Sequence, residues 1–345
     1  MKSHNIILII FIAVFGTACD KVKTSTSNGP VTISVDSEDP LPSWNDGATK
    51  SAIVDYIKLV TTDGIDSFIP IEDRIATFDN DGNLWAEQPA YFQLFFALDQ
   101  IKAQADDHPE WQEQEPFKSV LNDDMDGVMK SGMHGLMEII MNSHAGTTSQ
   151  EYRSAVSQWL STAKHPRFGV GYNELIYQPM LELLDFLRAN QFKVFIVSGG
   201  GIDFMRVWAT EAYGIPSDQI IGSSIKAEFS YSDEKAEIIK IPELNFIDDK
   251  EGKPVGIYQH IGKIPVFASG NSDGDLQMLQ YCDSNSYPSF QLYLQHTDAE
   301  REWAYDRDSH IGKLDKGLDE ARAKGWTVID MKNDWKTIFP FQLEQ

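Results

Sequence analysis

The chain has 345 residues, 42% of them hydrophobic and 11% aromatic, which is material for one large domain or a core with a smaller partner. Its 29 Lys and Arg stand against 52 Asp and Glu, a formal net charge of -23. Nothing in so acidic a surface attracts nucleic acid or an anionic membrane, so neither is expected as a partner; an anionic substrate needs a cation or local basic groups to reverse the field at its site.

Residues 1–19 have the form of a secretory signal: Met1-Lys2, an apolar run over 6–16 too short for a usual membrane span, then Thr17-Ala18-Cys19. The small residues before Cys19 resemble a bacterial lipobox, with Gly16 where leucine is usual. That resemblance implies an exported protein of the periplasm or cell envelope, held to a membrane only by a lipid on Cys19. An ordinary cleaved signal peptide is the alternative. With Cys19 lipidated, the other cysteine, Cys282, has no disulfide partner and reads as a packing residue. Residues 20–48, rich in Ser, Thr, Asp and Pro, read as a flexible tether.

Residues 52–60 have a helical pattern, and the apolar run "IATF" (Ile75–Phe78) reads as a buried strand. From Pro89 onward the periodicity is helical as far as Ala163, with few strand-like runs. Alternation then returns. Residues 180–190 form an amphipathic helix, "KVFIVS" a strand ending at Ser198, and "DFMRVWATEAYG" a helix with Gly214 past its end. "QIIGSSI" reads as a strand, residues 226–248 as a β-hairpin, and "IPVFAS" as a strand before "GNSDGD"; "FQLYLQH" and "TVIDM" supply two more. This order predicts an α/β, Rossmann-like core over 49–88 and 175–345, with a mostly parallel sheet and helices on both faces. An inserted all-helical cap occupies 89–174. In such sheets ligands bind beyond the carboxyl ends of the strands.

Three loops at those ends carry polar residues: Asp79 and Asp81, Ser198 with its glycines, and Asn271, Asp273 and Asp275. Two carboxylates one residue apart repel each other, and two acidic loops facing one another ask for a hard divalent cation, for which Mg²⁺ is the usual choice. The cation also lets a phosphate dianion approach. Asp79, first after its strand, is the candidate nucleophile toward phosphorus, through an aspartyl-phosphate, and Asp81 the candidate acid and base. Ser198, Gly199 and the neighbouring glycine amides are candidates to hold phosphate oxygens at the start of a helix. Lys253 opens the helix before "IPVFAS" and can reach the same end of the sheet, whereas Lys263 lies at the strand's entrance. A lone Asp-x-Asp is often only a solvated turn; the signal here is the ordered set.

These motifs resemble the haloacid dehalogenase superfamily, and most of all its phosphoserine-phosphatase-type phosphohydrolases with a helical cap. "DNDGNL" is similar to the first motif, "VFIVSGG" to the second, Lys253 to the third and "GNSDGD" to the fourth, with Asn271 and Asp275 at its paired acidic positions. The resemblance implies a metal held by Asp79, the main-chain carbonyl of Asp81 and a fourth-motif side chain. That side chain stays open among Asn271, Asp273 and Asp275, with Asp275 favoured. Asn83 stands where the family usually has threonine and is expected to help bind phosphate; Asn271 stands where it usually has aspartate and brings no charge.

The resemblance also implies a small phosphomonoester as substrate. Glu87 lies near where related phosphatases hold an amino group, so phosphoserine, phosphoethanolamine or phosphorylcholine types suit it; the competing reading is an exposed residue in the first turn of a cap helix. Trp85, Tyr91, Phe92, Phe95 and Phe96 suit either a core or an alkylammonium pocket, with core favoured. His108, His134, His144 and His165 show no ligand spacing. The competitor from another class is a catalytically weakened binding protein on the same fold, motivated by Asn83 and Asn271. A dehalogenase would not need Asp81 or the metal.

Overall fold

The structure, a computed structural model, describes residues 39–343. The expected signal segment and Cys19 lie outside those residues. The sheet is built from β1 (Ile75–Phe78), β2 (Lys193–Gly201), β3 (Ile220–Ser232), β4 (Lys235–Phe246), β5 (Phe267–Gly270), β6 (Phe290–Thr297), β7 (Ala304–Tyr305) and β8 (Thr327–Asp330). Its order is β4-β3-β2-β1-β5-β6-β7, with β8 also pairing β6. Five pairings are parallel (β1 with β2 and β5, β2 with β3, β5 with β6, β6 with β8), and two, β3 with β4 and β6 with β7, are antiparallel. The expected α/β class with a mostly parallel sheet is what the chain adopts.

The alternation of side chains along a strand sends residues two apart to the same face, and both faces here are apolar. Ala76, Phe78, Val194 and Ile196 join one core, with residues of the helices Ala48–Thr61, Gln178–Ala189 and Ile202–Tyr213. Ile75, Phe195, Val197 and Ala268 join a second, with residues of Gly252–His260, Leu276–Asp283 and Lys316–Lys324. Sheet register then sets the site. Phe78 stands level with Ile196 and with Ser269, so the loops leaving β1, β2 and β5 emerge side by side at one edge.

Between β1 and β2, residues 89–174 form no strand longer than an isolated bridge, and otherwise helices, chief among them Phe92–Ala103, Gly132–Asn142 and Ser149–Thr162. They hold a small core of their own around Leu94, Ile101, Trp111 and Phe117. Phe92, Phe96, Tyr152 and Trp159 instead join the first core of the sheet, so the insert is seated on the sheet domain as well as on itself. Thr148 and Glu151 close a reciprocal capping box at the start of the last of these helices.

Two departures from the sequence reading concern the chain's path. The stretch expected to be tether as far as residue 48 is packed from Leu41 on: Leu41 and Trp44 are fully buried, and Trp44 meets Trp335 edge to face at 5.8 Å. A single large aromatic gains more from burial, about 1.5–3 kcal/mol, than the Ser, Asp and Pro around it lose. The expected strand at 219–225 and hairpin at 226–248 form one long antiparallel ribbon, β3 and β4, turning at Asp233 and Glu234, both at positive φ (49° and 62°). No helix among the described residues is long and apolar enough to cross a membrane.

Candidate active site

Asp79 follows β1 directly, and its amide extends the sheet by donating to Ser269 O at 3.0 Å. The chain then turns tightly: the amides of Asn83, Leu84 and Trp85 all donate to Asn80 O, and Gly82 takes φ +74°. That turn points Asp79 and Asp81 to the same side. Asp81 Oδ1 accepts from Trp85 Nε1 at 2.8 Å, and Trp85 is fixed in turn by stacking on Trp208 at 4.1 Å. Desolvation raises the pKa of Asp81, with Trp85 and Lys253 opposing.

Lys253 lies at the start of its helix, 1% exposed, and donates to Val197 O at 2.8 Å and to Asp275 Oδ1 at 2.6 Å. Its Nζ also stands 2.8 Å from Asp79 Oδ1, so one ammonium pairs with both carboxylates. Burial works against the Lys253 charge, but Asp275 and Asp79 outweigh it and raise its pKa. Burial and then the Asp275 carboxylate push Asp79 well above the usual carboxylate range, against the pull of Lys253. Lys263 pairs instead with Asp73, just before β1, at the opposite end of that strand.

At the end of β2 the pairing with β3 slips between Ser198 and Gly201, which takes Gly199 and Gly200 out of the ladder. Ser198 Oγ accepts from Gly200 N at 3.1 Å, and Gly201 N donates to Gln93 Oε1 of the helical insert at 2.7 Å. Gly200 passes close to the acid: a Cβ there would lie 3.1 Å from Asp81 Oδ2. Gly199 is exposed at the head of the helix Ile202–Tyr213, where its backbone is open to a ligand.

Three expectations are corrected by this geometry. Asn83 does not face a phosphate: it is fully buried, its Nδ2 donates to Asp79 O at 3.1 Å and Ser269 O at 3.4 Å, and its Oδ1 accepts from Ser269 Oγ at 2.9 Å. It braces β1 against β5. Asp275 is not free to bind a metal: Oδ1 takes Lys253, and Oδ2 takes the amides of Asn271 and Ser272 at 2.9 and 3.0 Å. It is the holder of Lys253 and of its own loop. Glu87 neither sits exposed in a first turn nor offers itself to a substrate: it is 1% exposed, and its Oε1 accepts from Asn271 Nδ2 at 2.8 Å and from the Tyr305 hydroxyl at 2.7 Å. Asp273, the other open candidate, accepts from the amides of Asp315 and Gly317 at 2.9 and 2.8 Å, at the start of the helix Lys316–Lys324.

Asn271 therefore stands alone among the fourth-loop candidates with an oxygen to give. It is 1% exposed, and its Oδ1 is buried without a partner. A buried amide oxygen left unpaired costs about 1–3 kcal/mol unless something else meets it. That open oxygen, on the loop leaving β5 beside the loop that carries Asp79, suits a hard cation. Among the described residues no group of three or more His, Cys, Asp or Glu is arranged as a cation site.

Of the aromatics, Trp85, Phe92 and Phe96 are core and Tyr91 is exposed. His165 Nε2 donates to Gln88 O at 2.9 Å, His144 is buried against Tyr152, and His108 and His134 lie at the surface. Sequence reasoning missed four residues. Asp249 lies between the second and fourth loops, its Oδ1 2.6 Å from where a Cβ on Gly274 would be. His296, at the carboxyl end of β6, donates from Nε2 to Gly82 O at 2.7 Å and faces Glu302 Oε2 at 3.1 Å. Tyr305 and Gln93 complete the set. A polar residue at the end of a parallel strand was a usable signal for His296; nothing local marked the others.

Residues 76–280 match the family model described as haloacid dehalogenase-like hydrolase. No curated protein matches the sequence. Among solved structures, a conserved protein of unknown function from Anaerococcus prevotii DSM 20548 is similar at 15% identity and a TM-score of 0.51, over 83% of this chain and 92% of that one. A protein of unknown function from Bordetella pertussis Tohama I follows at 15% identity and 0.47, over 75% and 98%. A phosphoserine phosphohydrolase-like protein from Francisella tularensis subsp. tularensis SCHU S4 gives 14% and 0.34, over 64% and 87%. The Anaerococcus likeness bears on fold and on nothing finer.

Proposed function

The chain belongs to the haloacid dehalogenase-like hydrolases, and from that premise we propose that it is a Mg²⁺-dependent phosphomonoester phosphatase working through a phosphoryl group carried on Asp79. The observation that carries this reading is the buried ammonium of Lys253, 2.8 Å from the Asp79 carboxylate and 2.6 Å from that of Asp275. A carboxylate held beside a fixed cation, with a second acid two residues on, suits in-line attack on phosphorus.

An Asp79 carboxylate oxygen attacks phosphorus and the bond from phosphorus to the leaving oxygen breaks. Asp81 gives its proton to that oxygen; desolvation favours its acid form, and since Trp85 holds Oδ1, the proton leaves through Oδ2. Lys253 offsets charge on the reacting group, while Ser198 and the Gly199 backbone hold phosphate oxygens. Asp81, now ionised, takes a proton from water; the water oxygen bonds to phosphorus, the bond to Asp79 breaks, and inorganic phosphate leaves. Asp79, Asn271 and the main-chain carbonyl of Asp81 would hold the cation. When bound, it neutralises carboxylate charge and lets a phosphate dianion enter an acidic site.

The helical insert acts as the cap, since Gln93 on its first helix binds the amide of Gly201 beside the phosphate loop. The acidic protein, with a formal net charge of -23, favours a small phosphomonoester with a cationic head group, of the phosphoserine, phosphoethanolamine or phosphorylcholine type. Export with a lipid on Cys19 belongs to the same proposal and agrees with such a substrate being met outside the cytoplasm.

The test is Mg²⁺-dependent phosphate release from p-nitrophenyl phosphate by the full chain. Release that Asp79→Asn abolishes supports the reading. A folded protein that releases nothing at saturating Mg²⁺ overturns it in favour of a second reading, a binding protein without turnover. The neutral amide of Asn271 in place of a metal-binding carboxylate is what keeps that second reading in view.

A further inference from the structure

We propose that Glu87 and Tyr305 are positioning residues that aim the carbonyl end of the Asn271 amide, rather than its NH₂ end, at the cation; the inference rests on the cation in the function proposed above. The two ends of an amide have nearly the same shape but opposite polarity. A carboxylate in this place would present oxygen whichever way it turned, whereas an amide must be told which end to present.

The instruction is visible in the hydrogen bonds. Asn271 Nδ2 donates to Glu87 Oε1 at 2.8 Å, and Oδ1 is left buried and unpartnered. Turning the amide over would set two acceptor oxygens against each other at that distance. Glu87 is itself fixed, because the Tyr305 hydroxyl donates to the same Oε1 at 2.7 Å.

The surroundings leave the strut no room to swing. Gly82 has φ +74°, and a Cβ there would lie 2.1 Å from Asn271 Nδ2 and 2.3 Å from Glu87 Oε1. Gly312 has φ +60°, and a Cβ there would lie 1.9 Å from the same oxygen. Both positions require glycine twice over, for backbone conformation and for space. Glu87 thus lies clamped between the first catalytic loop and a C-terminal segment beyond the stretch matched to the family model. That segment completes the metal site without touching the metal.

The test is Mn²⁺ binding to the full chain without substrate, read from the spin-resonance signal of free Mn²⁺. Glu87→Gln and, more mildly, Tyr305→Phe are expected to weaken binding by about ten- to a hundredfold, the usual loss for an outer-shell partner. In an Asn271→Asp background there is no NH₂ to aim, so Glu87→Gln should leave affinity unchanged. Equal losses in both backgrounds show a merely structural strut and overturn the inference, as does an unchanged affinity in the Asn271 chain. Should Glu87→Gln fail to fold, judged by thermal melting, Tyr305→Phe carries the same comparison with one oxygen removed. A wild-type chain that binds no Mn²⁺ sinks the cation reading itself, and this inference with it.

Discussion

Replacing Lys253 by methionine removes the ammonium between Asp79 and Asp275 while keeping much of the stem. Lys253 is 1% exposed and makes contacts of 2.8 Å to Asp79, 2.6 Å to Asp275 and 2.8 Å to Val197 O, so its loss leaves two carboxylates and a carbonyl facing each other in a dry site. Removing one partner of such a buried set costs about 3–5 kcal/mol. The carboxylates can escape part of that cost by protonation, and this fixes the sign of the pH dependence. A carboxyl whose folded pKa lies above its unfolded value contributes stability that is fully present below the unfolded pKa and is lost as pH rises through the folded one. Asp79 already lies above its usual value, through burial and then Asp275, and loses its principal opposing charge in the variant. The Lys253 pKa is raised from 10.5, so in the wild type the ammonium persists throughout pH 5–8 and adds no slope there. Urea unfolding of both chains at pH 5 and pH 8 should therefore show a large deficit at pH 8 that shrinks at pH 5, by about 1.4 kcal/mol for each unit of pKa change in the variant. A deficit under about 1 kcal/mol at pH 8, in the range of an exposed pair, refutes the reasoning, and so does a deficit that does not change with pH.

Trp44→Ala should lower stability by about 3–5 kcal/mol in the same unfolding assay, because a fully buried indole in contact with Trp335 is replaced by a cavity; a variant within about 0.5 kcal/mol of wild type would return this stretch to the status of a tether. Asp81→Asn should reduce turnover of an alkyl phosphate about 10²–10⁴-fold. In the wild type that turnover should fall as pH rises through the elevated pKa of Asp81, since the acid form is then depleted, and the falling limb should vanish in the variant; a limb that survives assigns the acid elsewhere.

The strands that carry the site were readable because each is a short apolar run closed by glycine or acidic residues, and a parallel sheet brings the carboxyl ends of such runs together. The roles inside the loops were less readable, for a reason visible at Asp275 and Asn271. Ranked by charge, the aspartate is the better ligand for a cation. Folding gave its oxygens to Lys253 and to the amides of its own loop, leaving the weaker donor facing the site. Backbone amides are invisible to a ranking by residue type. Trp44 was hidden by its neighbours, since a composition average over Ser, Asp and Pro hides one indole. The ribbon turn was hidden by its chemistry, because Asp233-Glu234 takes positive φ without the Asn-Gly pair that usually marks such a turn. Tyr305 and His296 reach the first loop from more than two hundred residues away, a proximity that tertiary structure alone creates.

The asparagine at 271 has a physical rationale in this crowd of charges. Asp79, Asp81, Asp249 and Asp275 gather around the buried ammonium of Lys253, and Asp79 already has burial, Asp275 and Asp81 raising its pKa. A carboxylate at 271 would add one more like charge beside Asp79 and push it further toward the protonated form. A protonated Asp79 cannot attack phosphorus. The amide supplies an oxygen for the cation without that penalty, and Glu87 holds its NH₂ end away from the site. On this argument Asn271→Asp tightens cation binding and at the same time makes Asp79 depend on the cation for its ionisation. More chelator should then be needed to inactivate that variant than the wild-type chain, and an equal or smaller requirement would refute the argument.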